Sequence, residues 1–399
     1  MLKYFNFSKK SSIKKLEYIL KSRKQSQDIR TESVKKILLN VRKNGDKAVI
    51  KYEKQFSRLN TKSKKIKFSK KEINRVSTKI DKNLKRSIDT AYARIRKFHL
   101  KQKFKPFRYK DNFKNELAYK YSPINNVGVY VPGGTASYPS TVLMNCIPAL
   151  VAGVKNIFLT TPCLGDKVNP AIIYAAKKCG VKEIYKTGGA HSIAALSYGT
   201  KTFKKVDKIV GPGNSFVASA KKEVFGEVGI EGMIAGPSEI TILADKNSEI
   251  KSVITSLIGQ AEHDVNSQCI TISKDIIILK KIKKLIQSNL NSLPRKKIAQ
   301  KSLKSNGLLI HATSDKNILD LINLIAPEHL EINISNPKKY LNKIYNAGSI
   351  CIGKFSAMAV TDYNAGTNHV LPTMGSARFS SGLNVGDFYK KISYVNLTK

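Results

Sequence analysis

The sequence predicts an α/β protein with two Rossmann-like, doubly wound units, each an incomplete dinucleotide fold, plus an N-terminal helical region and a short C-terminal remnant. From residue 125 onward, short β-branched runs alternate with stretches of helical periodicity. Strands that alternate with helices indicate parallel sheets with crossover helices. The alternation occurs as two consecutive series, and 399 residues are enough for more than one domain.

The N-terminal region, residues 1–120, is polar and predicts mostly helix. Apolar side chains recur at helical spacing within residues 32–56, and they are Val34, Ile37, Leu38, Val41, Ala48 and Val49. The run Asn44-Gly45-Asp46 predicts a break between two helices. We expect this region to pack on the second α/β unit.

The two α/β units are expected at residues 121–237 and 238–375. The first unit has predicted strands at 127–131, 156–161, 183–187 and 208–211, and helices at 140–154, 169–179, 192–199 and 215–225. The second has predicted strands at 239–244, 268–273, 307–312 and 349–353, and helices at 248–264, from 276, and at 316–325. After residue 353 the chain is rich in Gly, Ser, Asn and Thr, which predicts loops and a tail at 376–399.

The net charge of +43 has two explanations. A basic surface can bind polyanions through counterion release, or the charge can reflect a bias of composition toward Lys, Ile and Asn. Lys is spread over most of the chain, and no zinc-finger, helix-turn-helix or RNP pattern is present. We therefore expect no specific nucleic-acid partner.

The compartment follows from the cysteines and from the apolar runs. Five scattered cysteines without a CxxC pair predict neither a disulfide framework nor a thiolate zinc site. No apolar run approaches the roughly 20 residues of a membrane helix, and the basic N-terminus lacks a secretory h-region. The expectation is a cytoplasmic protein with no membrane partner.

Two glycine-rich turns follow strands of the first unit and open helices. Pro132-Gly133-Gly134 precedes the helix near Ser140, and Gly211-Pro212-Gly213 precedes a helix at Asn214. Glycine permits close backbone approach, and a helix N-terminus offers N–H groups to an anion. The second turn matches the dinucleotide fingerprint only in part, because Phe216 occupies its third glycine position. Each turn is compatible with a phosphate site or with a plain connection.

Two polar clusters of the second unit are candidates for chemistry. Gln260 and His263 are spaced i and i+3 late in a predicted helix, so both could meet one metal, although a capped helix end also explains them. Pro327 is expected in the first turn of another helix. The helix dipole there favours an ionised Glu328 and a neutral His329, which suits a general base. A partly buried His beside a first-turn Glu is the alternative.

Seven segments together resemble histidinol dehydrogenases. They are YVPGGTASYPSTVLM, GGAHSIAALSYGT, KIVGPGNSFV, AGPSE, QAEHD, APEHLEI and DYNAGTNHVLPT. They occur in the family's order with near-family spacing, and the similarity runs from about residue 30 to the end. The resemblance implies two successive oxidations of L-histidinol, through the aldehyde, to L-histidine, with two NAD reduced. It also implies a homodimer that acts in histidine biosynthesis.

The resemblance implies roles for individual residues, carried over by position. Gln260, His263 and Asp362 would be zinc ligands, with the metal holding the substrate's nitrogens. His329 would take the hydroxyl proton as hydride leaves for NAD, and Glu328 would activate the water that hydrates the aldehyde. The implied substrate contacts are Ser238, Gln260, His263, His329, Asp362 and His369, and the implied NAD positions are Tyr130, His191 and Asn214.

Four features depart from the family pattern. The family has Gln in place of His191, Gly in place of Thr361, and commonly an acidic residue in place of Met358. It also continues for several dozen residues, which supply a substrate-binding Glu and a fourth zinc ligand, a His, to the partner subunit. No His follows His369 here, and no Glu follows Glu331. We expect three protein ligands with water or another residue in the fourth place, and a weakened but measurable activity.

Two other hypotheses remain open. One is a catalytically impaired or partner-completed relic of the same family, and the other is a polyanion-binding basic protein. Retention of all the candidate catalytic and zinc-ligand residues favours an enzyme over a relic. We expect these residues to converge in one cleft between the two α/β units.

Overall fold

A computed structural model describes residues 2–7, 10–25, 31–57, 66–133, 138–163, 168–231 and 236–398. The chain forms two compact units, which we name after their main sheets. The six-stranded unit comprises Met1–Ile29, Met233–Tyr363 and Leu371–Gly382. The five-stranded unit comprises Arg30–Gly232, Asn364–Val370 and Leu383–Lys399.

The N-terminal part of the chain contributes to both units. Strand β1 (Lys3–Phe7) and helix α1 (Lys10–Gln25) belong to the six-stranded unit. The following elements belong to the five-stranded unit: α2 (Thr31–Ser57), α3 (Lys70–Ser77), α4 (Lys82–Leu100), β2 (Phe107–Lys110) and β3 (Glu116–Pro123). Helix α2 bends at Gly45, whose φ of 49° is not helical, at the predicted break.

The five-stranded unit has a parallel sheet in the order β6-β5-β4-β7-β8. Its strands are β4 (Asn126–Tyr130), β5 (Asn156–Thr160), β6 (Glu183–Tyr185), β7 (Lys208–Val210) and β8 (Gly229–Ile230). Its crossover helices are α5 (Pro139–Ala152), α6 (Pro170–Lys178), α7 (Gly189–Tyr198) and α8 (Ser215–Val224). The strand order reverses between β4 and β7, which makes this position the switch point of a doubly wound sheet.

The six-stranded unit repeats this order and adds one strand at its edge, giving β1-β11-β10-β9-β12-β13. Its strands after β1 are β9 (Glu239–Ala244), β10 (Gln268–Ser273), β11 (Gly307–Ala312), β12 (His329–Asn333) and β13 (Ser349–Ile352). Its helices after α1 are α9 (Ile250–Ala261), α10 (Ile276–Asn289), α11 (Lys296–Asn306), α12 (Asp315–Ile325), α13 (Lys338–Leu341) and α14 (Met358–Val360). Every residue of β9, β10 and β12 is buried, as central parallel strands require. The α/β prediction with two doubly wound units is confirmed.

The N-terminal helices do not pack where the sequence predicts. Helix α2 packs on α7 and α8, α3 on α6, and α4 on α5, so they lie against the crossover helices of the first α/β unit. The apolar face of α2, including Val34 and Val49, shares a core with Ile193 and Val217. Only β1 and α1 join the second unit, where β1 pairs in parallel with β11. An amphipathic pattern predicts a buried face but does not name the surface that buries it.

Several strands were not predicted. The most important is β12, which lies between β9 and β13 where the sequence predicts the start of a helix. Strand β14 (Tyr389–Asn396), in the predicted tail, forms an antiparallel sheet with β3 and β2. The stacked rings of Phe107 and Tyr119 lie across this sheet. Short helical turns of other types occupy Leu290–Ser292, Thr361–Ala365, Ser376–Arg378 and Val385–Phe388.

Within the described ranges, no helix combines the length and apolarity of a membrane-crossing segment.

Candidate functional site

The amino ends of three neighbouring strands in the six-stranded unit carry buried polar side chains. Glu239 opens β9, Gln268 opens β10 on one side, and His329 opens β12 on the other. Glu328 directly precedes His329, and all four residues are almost fully withdrawn from solvent. Because β9 and β12 meet where the strand order reverses, the cluster lies at the switch point of this sheet.

The carboxyl ends of β9 and β12 are bridged by side chains. Asp245 follows β9, and its Oδ2 accepts hydrogen bonds from the backbone N and the Oγ of Ser335 at 2.9 and 2.8 Å. Ser335 follows β12. Ligands of open α/β sheets usually lie at the carboxyl side of the switch point. The candidate site of this unit therefore lies at the opposite, amino end.

Both ring nitrogens of His329 have hydrogen-bond partners. Nδ1 lies 3.1 Å from the carbonyl oxygen of Glu239, and Nε2 lies 3.0 Å from Oδ1 of Asp362. A carbonyl oxygen can only accept a hydrogen bond, so Nδ1 carries a proton. Nε2 is consequently the nitrogen at which this ring can exchange a proton with another molecule.

Glu328 is also held by the backbone of Glu239. Its Oε2 accepts a hydrogen bond from the backbone N of Glu239 at 2.6 Å and lies 3.6 Å from Nδ1 of His329. The N–H and C=O of Glu239 thus fix Glu328 and His329 respectively. A buried carboxylate next to an imidazole provides two groups that can hold or transfer protons.

The surroundings of His329 differ from the predicted ones. Burial would lower the pKa of His329, but the carboxylates of Asp362 and Glu328 more than offset this and raise it well above its ordinary value. The predicted helix N-terminus at Glu328 and His329 is wrong, and the neutral ring of a general base stays a prediction. The reason is structural, because α12 ends at Ala326, whose φ is 48°, and His329 begins a strand.

Asp362 reaches His329 from a helical turn that follows α14. Glu331 lies on β12 near His329, and its Oε1 accepts hydrogen bonds from the backbone N of Met358 at 2.6 Å and from Oγ of Ser256 at 2.8 Å. The hydroxyl of Thr361 donates to the carbonyl of Met358 at 2.7 Å. Glu331 therefore ties the start of this segment to the strand, and Thr361 closes its first turn.

Gln260 and His263 lie at the end of α9. Gln260 is buried in the last turn, and its Nε2 has no hydrogen-bond partner within the described part of the chain. His263 lies just beyond the helix, and its backbone N donates to the carbonyl of Gln260 at 3.3 Å. Burial lowers the pKa of His263, and the charges of Asp362 and Glu262 partly offset this effect, so Asp362 lies near this imidazole.

The chemistry of Gln260, His263 and Asp362 fits a metal ion. Within the described residues, no group of three His, Cys, Asp or Glu side chains is arranged to hold a metal, and this set contains only two such residues beside an amide. The lowered pKa of His263 favours the neutral imidazole that binds metals. The unpartnered end of the Gln260 amide can present oxygen after a half-turn of the amide group.

In the five-stranded unit, Tyr130 marks the switch point. It ends β4, and burial raises the pKa of its hydroxyl to about 12. Gly211 follows the neighbouring strand β7 with a φ of 109°. A Cβ there would meet the carbonyl oxygen of Tyr130 at 2.1 Å, so only glycine allows this approach.

The helices that leave this switch point have different N-termini. Asn214 caps α8, because its Oδ1 accepts hydrogen bonds from the backbone N of Phe216 and of Val217, both at 3.1 Å. Helix α5 follows Tyr138, whose side chain makes no capping hydrogen bond. The end of the first glycine turn, from Gly134, lies outside the described residues.

His191 is buried on α7 and paired with Glu53 of α2. Its Nε2 lies 2.6 Å from Oε1 of Glu53, which also accepts from the backbone N of Gly188 at 2.9 Å and from the hydroxyl of Thr187. Burial would raise the pKa of Glu53, but His191 and these hydrogen bonds lower it overall. Glu53 therefore occupies the N-terminus of α7. The predicted NAD contact of His191 stays a prediction.

The two remaining substrate candidates lie in different units. Ser238 directly precedes β9, and its carbonyl accepts from the backbone N of Gln268 at 3.0 Å. His369 belongs to the five-stranded unit, and its substrate contact stays a prediction. Sequence reasoning missed the roles of Glu239 and Glu331. The AGPSE segment contains Glu239, but no local signal reveals that its backbone holds two residues about 90 positions away.

Comparisons with known proteins agree on one family. A family model described as histidinol dehydrogenase matches residues 20–399. The chain is 56% identical over 399 residues to the histidinol dehydrogenase of Pelagibacter ubique, covering 100% of this chain and 92% of that protein. It is 45% identical to that of Listeria monocytogenes over 92% of this chain and 85% of the relative. The crystal structure of histidinol dehydrogenase from Elizabethkingia anophelis superposes with a TM-score of 0.92 at 36% identity, covering 100% and 90% of the two chains.

Proposed function

Because the chain belongs to the histidinol dehydrogenase family of oxidoreductases, we propose that it oxidises L-histidinol to L-histidine in two NAD-dependent steps through the aldehyde. One observation carries the proposal. The imidazole of His329 is held between the Glu239 carbonyl and the Asp362 carboxylate, beside the buried Glu328. An alcohol oxidation requires such a group to take the hydroxyl proton while hydride leaves carbon.

His329 would act through Nε2 in the first oxidation. Its Nδ1 proton is committed to the Glu239 carbonyl, which fixes the tautomer and the ring orientation. In the neutral form of the ring, Nε2 is therefore the atom that would accept the substrate's hydroxyl proton. The neighbouring carboxylates stabilise the imidazolium that results.

Glu328 would act in the second oxidation. The aldehyde must first take up water, and a carboxylate that removes a proton from that water favours the addition. Glu328 is buried, and Oε2 is held by the backbone N of Glu239. That contact orients the carboxylate next to His329, so both residues can address one substrate carbon.

Zinc would be held by Gln260, His263 and Asp362, and bound zinc supplies the positive charge that orients the substrate's nitrogens. The support is the donor set itself, an amide and an imidazole at the end of α9, together with the effect of the Asp362 charge on the pKa of that imidazole. Ser238 and His369 are proposed to contact the substrate on the basis of the family resemblance.

NAD would bind the five-stranded unit near Tyr130, Asn214 and His191, and bound NAD supplies the hydride acceptor. The support is the location of Tyr130 and Gly211 at the carboxyl side of the β4–β7 switch point.

We infer the setting of the reaction from the same resemblance. A homodimer is proposed because the family acts as one. A reducing cytoplasm is proposed because all five cysteines are buried free thiols. The experiment that tests the function is a count of NADH formed per L-histidinol by the wild-type chain and by a His329 variant.

A further inference from the structure

Glu239 makes four contacts that link three parts of the six-stranded unit. Its backbone N donates to Oε2 of Glu328 at 2.6 Å, and its carbonyl accepts from Nδ1 of His329. Its carboxylate Oε1 accepts from Nη1 of Arg23 at 2.7 Å and from the backbone N of Met374 at 3.2 Å. The backbone of Glu239 thus faces the proposed catalytic pair, and its side chain faces Arg23.

The ion pair of Arg23 and Glu239 is buried. The side chain of Arg23 is 9% exposed and that of Glu239 is 4% exposed. Removing one partner of such a pair leaves an uncompensated buried charge, which is a strong local perturbation. Glu239 is the first residue of β9 and is paired with Gln268 of β10 but with no residue of β12, so side chains take the place of strand pairing on that side.

We propose that Glu239 is a positioning residue for the reaction, and that its carboxylate, held by Arg23 of α1, fixes the backbone groups that orient Glu328 and His329. This inference rests on the proposed function of those two residues. A displacement of Glu239 moves both hydrogen-bond partners together. Small misplacements of a base relative to its substrate reduce rates by about 100-fold.

A cavity beside the ion pair makes the proposal testable by chemical rescue. It measures about 120 Å³ and is lined in part by Arg23, Glu239, Gln268 and Arg378. In a Glu239→Ala variant the guanidinium of Arg23 faces this space without its carboxylate. A small carboxylate such as formate can then enter and replace the missing group.

The first experiment compares turnover of L-histidinol by the Glu239→Ala variant with and without formate. We expect kcat of the variant to be about 100-fold lower than that of the wild type. Formate should then raise kcat of the variant by at least about tenfold. The Arg23→Ala/Glu239→Ala double variant should lose the rescue, since the cation that holds formate is gone. Asp245→Ala is the matched control, because Asp245 holds backbone at the other end of β9 and should neither lose kcat nor respond to formate.

A second readout does not depend on turnover. In NMR of the imidazole nitrogens, the signal of the protonated Nδ1 of His329 reports the hydrogen bond from this atom to the Glu239 carbonyl. The signal should shift in Glu239→Ala, return toward wild type with formate, and stay unchanged in Asp245→Ala. An unchanged signal together with unchanged kcat in Glu239→Ala overturns the positioning role. If the signal shifts in Glu239→Ala but the wild-type protein does not oxidise L-histidinol, the positioning role stands and the proposed function is wrong.

Discussion

The Nε2 atom of His329 lies 3.0 Å from Oδ1 of Asp362, although 33 residues separate them in the sequence. The contact brings together the start of β12 and the turn that follows α14. It also links the residue proposed to move protons with a residue proposed to bind zinc. The predictions below test those assignments separately.

The Glu328→Gln variant should separate the two oxidations. A glutamine can still accept the hydrogen bond from the backbone N of Glu239, so the local structure should persist. It cannot take a proton from water, so the step from the aldehyde should slow by about 10²- to 10⁴-fold while alcohol oxidation is retained. Steady-state assays with L-histidinol and with the aldehyde as substrates check this. Glu249→Gln, an exposed change in the same unit, should leave both rates unaltered.

The His263→Asn variant should lose metal. Even groups that only orient metal ligands contribute about 10- to 100-fold to affinity, so loss of a ligand should weaken zinc binding by more than about 100-fold. Zinc content after dialysis against a metal buffer measures this. The His311→Asn control changes a histidine of β11 whose Nε2 lies 3.1 Å from the Lys274 carbonyl, and it should keep its zinc. Retention of zinc by His263→Asn would remove His263 from the ligand set.

The Gly211→Ala variant should weaken NAD binding. A Cβ at residue 211 would overlap the carbonyl of Tyr130, so the two turns at the switch point must separate. Gly226→Ala is the matched control, because its φ of 100° imposes similar backbone strain while nothing lies within 4 Å of the new Cβ. We expect calorimetry to give an NAD Kd at least about tenfold higher for Gly211→Ala than for Gly226→Ala. Equal affinities would argue against NAD at this turn.

Glu72 should make stability depend on pH. Burial would raise the pKa of Glu72, but hydrogen bonds from Lys186 and Ser69 lower it from 4.5 to about 2. A carboxyl whose pKa is depressed by folding stabilises the protein above its unfolded pKa, and this contribution disappears as the pH falls from about 5 toward 2. Glu72→Gln should therefore cost about 1 kcal/mol at pH 7, a value limited by solvent screening of a side chain that is 26% exposed.

Urea unfolding of wild type and Glu72→Gln between pH 7 and 3 provides the measurement for Glu72. The difference in unfolding free energy should shrink at the acid end. Glu32→Gln is the control, because the carboxylate of Glu32 is 82% exposed and its pairing with Lys35 is screened. A difference for Glu72→Gln that stays constant across this range would show that its ionisation is not linked to folding.

Much of the fold could be predicted from the sequence because most strands are short apolar runs between helical stretches. The strands β9, β10 and β11 have the predicted bounds. Strand β12 could not be predicted, because it begins at the polar His329, directly after Glu328, and gains its strand character from β9 and β13. The same holds for β14, whose partner β3 lies more than 260 residues earlier.

The candidate site could be predicted as a set of residues but not as a set of contacts. Motif positions named His329 and Asp362 without indicating that they touch. The partners Arg23 and Glu239 are 216 residues apart, and Glu53 and His191 are 138 apart. Neither pair has a local pattern, because their proximity depends on how the helices pack on the sheets. The raised pKa of His329 likewise depends on its contacts with Asp362 and Glu328, so the motif alone could not predict it.

The proposed two-step oxidation can be tested by the amount of NADH formed from a limiting quantity of L-histidinol with excess NAD and zinc. We expect two NADH for each L-histidinol and L-histidine as the product. We also expect His329→Asn to lower kcat by about 10²- to 10⁴-fold while the protein remains folded and binds NAD. The proposal is contradicted if a folded, zinc-loaded wild-type chain forms no NADH. It is also contradicted if wild type and His329→Asn have equal kcat.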